Sequence, residues 1–252
     1  MADLGAIDAS GADIAVLLTA PERRADILQH LSGIDVAVAA SPLGLGMADA
    51  EALLAFCKTN GIAALADGAW RADPLVGRLA DGGVAAAVGE VTGVTGVFGT
   101  GLWHTGVLWI DLIDRLIGPI DMVQAVEDTR DIDNGPIPGD QAAAFALGVS
   151  PRNGIGQVAA TAHAGATPHL DLHGTAGRLS LVLGETGLAI ADTAGAAGGG
   201  AATLDAFYAN LAEVLDGTAD PVCTMAEMIE VEQIVEAILD SADRSGERLY
   251  FN

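Results

Sequence analysis

The stretch GTGLWHTGVLWIDLIDRLIG, residues 99–118, sets a histidine, two tryptophans and two aspartates into an otherwise apolar run. On a helix, positions 104, 108, 111 and 115 fall on one face, because they are spaced at four, three and four residues. That face carries His104, Asp111 and Arg115 and is interrupted by Leu108. Asp111 and Arg115 can form an i,i+4 ion pair on a partly solvated face, worth about 0.2–0.5 kcal/mol. His104 carries the other chemistry. An imidazole at the mouth of a cleft can hydrogen-bond a ligand or act as acid and base. Trp103 and Trp109 read as core.

Residues 163–173, HAGATPHLDLH, hold three of the five histidines. On a strand, His169, Asp171 and His173 point to one face. By type they are acceptable metal ligands, but same-side strand positions suit two ligands better than a closed site, and no metal is assigned. Glu22, Arg23 and Arg24 form a charged run after an apolar segment. The helix dipole does not favour arginine at a helix start, so these read as surface residues. Lys58 is the only lysine, and any mechanism that requires a lysine has to use it.

The elements that must position these groups read as follows. DIAVLL (13–18), DVAVAA (35–40) and IAALA (62–66) are short continuous apolar runs, the pattern of buried parallel strands. Helices are expected between them, over TAPERRADILQHL and over MADAEALLAFCKTNG (47–61), with another over DPLVGRLADGG (73–83). Strands and helices in that alternation imply a parallel sheet with right-handed crossovers. Asp67, Trp70 and Arg71 follow the third strand, at the carboxyl end of such a sheet, where ligands bind. From residue 89 the pattern changes. GEVTGVTGVF (89–98) is a long strand, the opening stretch is a helix, and IDMVQAVEDT, QAAAFALGV, GQVAATAHA, HLDLHG and RLSLVLG read as a mostly antiparallel sheet. AGAAGGGAA (194–202) is a loop, and helices over 204–217 and 226–244 close the chain. The fold class is therefore α/β plus α+β: an incomplete Rossmann-like parallel sheet (1–83), then a large open, mostly antiparallel sheet with flanking helices (84–252).

At 252 residues the chain can bury a substantial core. It is 51% apolar and 18% charged, which is globular rather than disordered. A net charge of −23 argues against nucleic acid and anionic membranes as partners, since both are bound by clustered cations. Cys57 and Cys223 make no disulfide framework, which fits a reducing cytoplasm. No signal peptide and no membrane-spanning run is expected.

The landmarks LLTAPERRAD, VAVAASPLG, ADGAWRADP, GGVAAAVGEV, GLWHTGVLWIDLIDRLIG, LDLHGTAGRLSL and GTADPVCTMAEMIEVEQIVEAIL occur in an order that resembles the glucose–fructose oxidoreductase / inositol dehydrogenase (Gfo/Idh/MocA) family. The resemblance implies a Rossmann domain, an open-sheet domain and NAD(P)-linked chemistry on sugars or cyclitols. It also implies that Asp67, Trp70, Arg71 and Asp111 bind substrate, with Trp70 stacking on a sugar face. The departures are informative. The GxGxxG unit is absent, and PLGLGM (42–47) lacks the third glycine. Ala40-Ser41-Pro42 stands where the family has Glu-Lys-Pro. Gly106, Asp111 and Gly118 match the family's second catalytic element, but His104 falls on its aspartate and Leu108 on its histidine.

The resulting expectation is a degenerate, oxidoreductase-like protein, a non-autonomous subunit or a carbohydrate- or polyol-binding partner, with NAD(P) only from a partner or an atypical site. Two alternatives stand beside it: a nicotinamide-independent lyase or isomerase with His104 as acid/base, and an NAD(P)-dependent sugar or cyclitol dehydrogenase with atypical cofactor binding. Without the family's first unit, DIAVLL becomes an apolar sheet edge. The chain's own first dozen residues or a second subunit should cover it. A homo-oligomer, or a hetero-oligomer with a full-length homologue, is therefore expected, with a small sugar-like ligand.

Overall fold

The computed structural model describes residues 11–98, 101–126, 130–132, 137–149, 158–161, 168–184, 187–191 and 200–251. The chain divides into two compact units, Met1–Ala69 with Phe207–Glu232, and Trp70–Ala206 with Gln233–Asn252.

The first unit holds a parallel sheet of β1 (Ile14–Leu17), β2 (Val36–Ala39) and β3 (Ala63–Ala66) in that order. All four residues of β2 are buried, as the uninterrupted apolar run requires of a central strand covered on both faces. The crossovers carry α1 (Arg24–Gln29) and α2 (Met47–Thr59). Pro21 opens a 3-10 turn ahead of α1, and α2 buries Ala50, Leu53 and Cys57. Neither cysteine is in a disulfide, and both are buried.

The sequence groups residues 70–83 with this sheet, whereas in the structure they fall in the second unit. Trp70 and Arg71 are held there by Trp109 and Asp111. The single helix expected over 73–83 is in fact α3 (Pro74–Arg78), a π-helical turn (Leu79–Gly83) and α4 (Val84–Val88). Gly82, at φ +98°, breaks the helical path, and the Ala-rich VAAAV restarts it. β4 (Val91–Val97) follows, then a π-helical turn (Leu102–Gly106) that runs into α5 (Val107–Ile117).

The second sheet adds β5 (Ile120–Ala125), β8 (Ala144–Val149), β9 (Val158–Thr161), β10 (His169–Gly174), β11 (Arg178–Gly184), β12 (Gly187–Ile190) and β13 (Leu249–Tyr250). Its order is β12-β11-β10-β4-β9-β8-β5-β13, and every pairing is antiparallel except β4 with β9. The short strands β6 (Arg130–Asp131) and β7 (Gln141–Ala142) pair separately. Alternation decides which face is core. Leu170, Leu172, Leu179, Leu181, Phe145 and Leu147 are buried, while His169, Asp171 and His173 lie on the other face of β10.

The closing helices are α6 (Gly200–Leu215) and α7 (Met225–Asp243). Of the segment expected as a loop over 194–202, residues 200–202 are the first turn of α6, and the remainder lies outside the described residues, as do His163, Gly99 and Thr100. Among the described residues no helix is long and apolar enough to cross a membrane.

Candidate functional site

In the second unit, α5 and the 3-10 turn Ala69–Ala72 bring two of the candidate residues together. Arg71 Nη2 donates to Asp111 Oδ1 at 2.6 Å, and its Nε donates to both oxygens, at 3.2 and 3.0 Å. The side chains are 7% and 2% exposed. The i,i+4 pair expected between Asp111 and Arg115 is not the one formed: Arg115 is exposed, and Asp111 points into the core. A two-oxygen, fork-shaped contact with a guanidinium out of water outcompetes a solvated helix-surface pair. Both groups are thus held by each other, and the arrangement fixes the Trp70–Arg71 turn against α5.

Trp70 packs edge-on to Trp109, with ring centroids 6.4 Å apart. Trp109 stacks on Phe98 at 6.1 Å, and Phe98 meets Phe145 at 5.6 Å. Trp109 is core, as its place in the apolar run implies. The indole N–H groups of Trp70 and Trp109 are both buried and, among the described residues, have no hydrogen-bond partner. Asp114, one turn after Asp111, accepts from the Ile120 N–H at 3.3 Å. Burial raises its carboxyl above the ordinary range; the Ile120 N–H opposes this, Asp111 adds to it, and Arg71 opposes it more weakly.

His104 lies in the π-helical turn, half-buried. Its imidazole makes no hydrogen bond among the described residues. The turn itself is held by Asp140, whose carboxylate accepts from the backbone N–H of Trp103 at 2.9 Å, of His104 at 3.0 Å and of Gln141 at 2.8 Å. Gly101, at φ +87°, has to be glycine here, because a Cβ would collide with the Asp140 carboxylate. Asp140 is 1% exposed and was not singled out by the sequence, since nothing local links it to a turn so far back along the chain. Leu108 is half-buried on the first turn of α5.

On β10, Asp171 accepts from the Ser180 hydroxyl and lies 3.4 Å from Arg178, and the His173 Nε2 lies 3.3 Å from Thr95 Oγ1. Among the described residues no three His, Cys, Asp or Glu side chains gather into a cluster that could hold a metal.

In the first unit, Asp67 follows β3 half-buried. Burial raises its carboxyl, and the Ala69 N–H opposes the rise. The loop after β2 is built round Glu232 of α7. The Ser41 hydroxyl donates to Glu232 Oε1, and the Leu43 N–H donates to Oε1 at 2.8 Å and Oε2 at 3.1 Å. Glu232 is 2% exposed. Arg24, read from sequence as a surface residue, is buried: its Nη1 donates to the Pro42 carbonyl at 2.6 Å and its Nε to the Thr19 carbonyl at 3.1 Å. Burial lowers the pKa of the guanidinium, opposed by the charges of Glu232 and Glu22. A signal for Glu232 does exist in the sequence. It stands four residues after Met228 and three before Val235, both buried, so it is a carboxylate inside an apolar stripe.

The cofactor that the resemblance implies, NAD(P), needs free backbone donors and close approach for its pyrophosphate. In the 41–46 loop the Ser41 hydroxyl and the Leu43 N–H already serve a carboxylate, whose charge would repel phosphate. Gly44 is closed against its own turn: a Cβ there would lie 2.5 Å from Ala50 N and 2.6 Å from Gly46 O. The residues of this loop do not fit a pyrophosphate.

No protein-family model and no curated protein matches this sequence. The fold is shared with solved oxidoreductase structures of the Gfo/Idh/MocA type at low identity. The WlbA dehydrogenase of Bordetella pertussis, solved with NADH and UDP-GlcNAcA, is 17% identical over 99% of this chain and 83% of its own, with a TM-score of 0.73. A putative myo-inositol dehydrogenase from Sinorhizobium meliloti is 14% identical over 100% and 85%, with a TM-score of 0.74. A super-repressor mutant of Gal80p from Saccharomyces cerevisiae is 12% identical over 99% and 83%, with a TM-score of 0.76.

Proposed function

We propose that this oxidoreductase-like chain acts as a non-autonomous subunit or as a carbohydrate- or polyol-binding partner of an oxidoreductase, and that it does not hold a dinucleotide by itself. The observation that carries this reading is the loop after β2. Where the resemblance puts a catalytic lysine, this chain has Ser41, donating to the buried carboxylate of Glu232. A hydroxyl so engaged supplies no cationic acid, and Lys58, on α2, is exposed. Solved structures that share this fold include the WlbA dehydrogenase and a super-repressor mutant of Gal80p, and a fold does not by itself fix an activity. The proposed ligand is a small sugar-like molecule, with Trp70, Arg71 and Asp111 as binding residues in the second unit; Asp67 is proposed as a binding residue of the first unit, taken by itself. Arg71 and Asp111 contribute by fixing the turn that carries Trp70. The proposed location is the cytoplasm.

His104 supports a second reading, a nicotinamide-independent lyase or isomerase. A π-helical turn is a frequent marker of functional sites, and this one presents an imidazole without a hydrogen-bond partner among the described residues. Calorimetry of the purified chain with NAD+, NADH, NADP+ and NADPH, beside a thermal-shift screen of sugars, polyols and sugar acids, separates these readings. Binding of a sugar-class ligand at a hundredfold excess over Kd should stabilise the fold by about 2.7 kcal/mol. Tight nicotinamide binding by the isolated chain overturns the proposal in favour of an atypical dehydrogenase. Turnover of a sugar without nicotinamide that is lost in His104→Ala favours the second reading.

A further inference from the structure

Glu232 stands in a stripe of α7 whose other members are apolar: Met228, Val231 and Val235 are all buried beside it. A carboxylate among such side chains is costly unless donors meet it. The donors come from the carboxyl end of the parallel sheet. In the loop after β2, the Ser41 hydroxyl donates to Oε1, and the Leu43 N–H donates to both oxygens, at 2.8 and 3.1 Å. The charge comes from Arg24, 3% exposed, whose Nη1 and Nε are spent on the Pro42 and Thr19 carbonyls and so tie the loop after β1 to the loop after β2. Neutral carbonyls solvate a guanidinium without balancing it. The acids whose charges act on Arg24 are Glu232 and, from the 3-10 turn ahead of α1, the exposed Glu22. Glu232 is the buried one of the two, so salt and water screen it less. Two neutral donors and one buried cation are the parts of an anion site.

We infer that the loops after β1 and β2 form an anion pocket of carboxylate size, and that α7 fills it from within, with Glu232 as a tethered ligand. The inference deepens the reading that this chain holds no dinucleotide by itself, and rests on it for its functional sense: a pocket already filled takes no phosphate or carboxylate of a ligand. Tethering keeps the occupant in place. A carboxylate held on the chain meets its donors at an effective concentration in the millimolar range or above, so a free anion does not displace it. The pocket also has a size. Glu232→Ala keeps the Cβ and deletes one methylene and the carboxylate, which together are the heavy atoms of an acetate ion. The Leu43 N–H then loses its acceptor and Arg24 its buried counter-charge, and acetate supplies both. Glu232 thus decides which anions this end of the sheet accepts: none with it in place, a small carboxylate without it.

The test is urea unfolding of the full chain at neutral pH, in sodium acetate against sodium chloride of equal ionic strength, for the wild type, Glu232→Ala and Glu232→Met. The chloride arm carries the general effect of salt on a chain of net charge −23. Methionine fills the side-chain volume without charge and leaves no room for acetate. In Glu232→Ala, roughly 0.3 M acetate should restore about half of the lost urea midpoint relative to chloride, and the gain should saturate. The wild type and Glu232→Met should respond alike to the two salts. If Glu232→Ala does not fold in chloride, the yield of refolding from urea in the two salts carries the same reading. No preference for acetate in Glu232→Ala, in unfolding or in refolding, overturns the inference. An equal preference in Glu232→Met also overturns it, because acetate then acts elsewhere. Nicotinamide binding is measured on the wild type and acetate rescue on the variant, so failure of the functional reading and failure of the pocket are told apart.

Discussion

Removing Asp111 should cost far more than the loss of a surface ion pair, and the size follows from burial. Arg71 and Asp111 are 7% and 2% exposed and share three contacts between 2.6 and 3.2 Å. At an effective dielectric near 20, unit charges about 4 Å apart attract by about 4 kcal/mol. Deleting Asp111 also takes three charge-assisted contacts from a guanidinium that is largely out of water. Asp111→Leu should therefore destabilise the fold by about 3–5 kcal/mol. For a chain of this size that lowers Tm by about 6–20 °C. Replacing both, Arg71→Met with Asp111→Leu, leaves no stranded charge and should fall within about 2 kcal/mol of the wild type, in either direction. Urea unfolding of the four proteins gives the coupling energy directly. A cost below about 1 kcal/mol for Asp111→Leu, or a double variant as damaged as the two single variants summed, would refute the assignment of this pair as a buried clamp.

Two further outcomes follow from the same geometry. The raised carboxyls of Asp114 and Asp67 bind protons more tightly folded than unfolded, so stability should fall as pH rises from the ordinary carboxylate value of 3.8 through their raised values. Asp114→Asn should flatten that slope in Tm-against-pH curves, and an unchanged slope removes Asp114 from the account. Asp140→Ala leaves the Trp103 and His104 N–H groups without their acceptor, and should cost about 2–3 kcal/mol by urea unfolding while Asp140→Asn recovers part of it; equal loss in both variants would mean that the cost lies in packing rather than in accepting those bonds.

Strand identities were legible because each strand states its environment locally. VAVA is apolar throughout and lies buried on both faces, while HLDLHG alternates and buries only Leu170 and Leu172. The helix carrying Asp111 was legible too, since its apolar residues repeat at helical spacing, but His104 lies in a π-helical turn ahead of it and not on the same regular helix face. What escaped was the identity of partners. Asp111 has an arginine four residues on, so local reasoning pairs them, but its partner is 40 residues earlier in the chain. Arg24 reads as surface because two isolated backbone carbonyls, of Thr19 and Pro42, are invisible as attractors in a sequence. The cradle round Glu232 was half visible, as an acid in an apolar stripe, but nothing in the stripe says which loop it serves. Short-range chemistry is written in spacing. Long-range chemistry is written in topology, which composition and periodicity do not encode.

The Glu232 clasp also orders events in time. Its carboxylate meets Ser41 across 191 positions of chain and Leu43 across 189. A ribosome adding about 5–20 residues per second releases the β2 loop roughly 10–40 s before α7. During that interval Arg24 can already reach the Thr19 and Pro42 carbonyls, but the Ser41 hydroxyl and the Leu43 N–H must find water instead. The parallel sheet is thus synthesised well before it is finished. Its loop takes its final form only when α7, about 190 positions later, comes back to it.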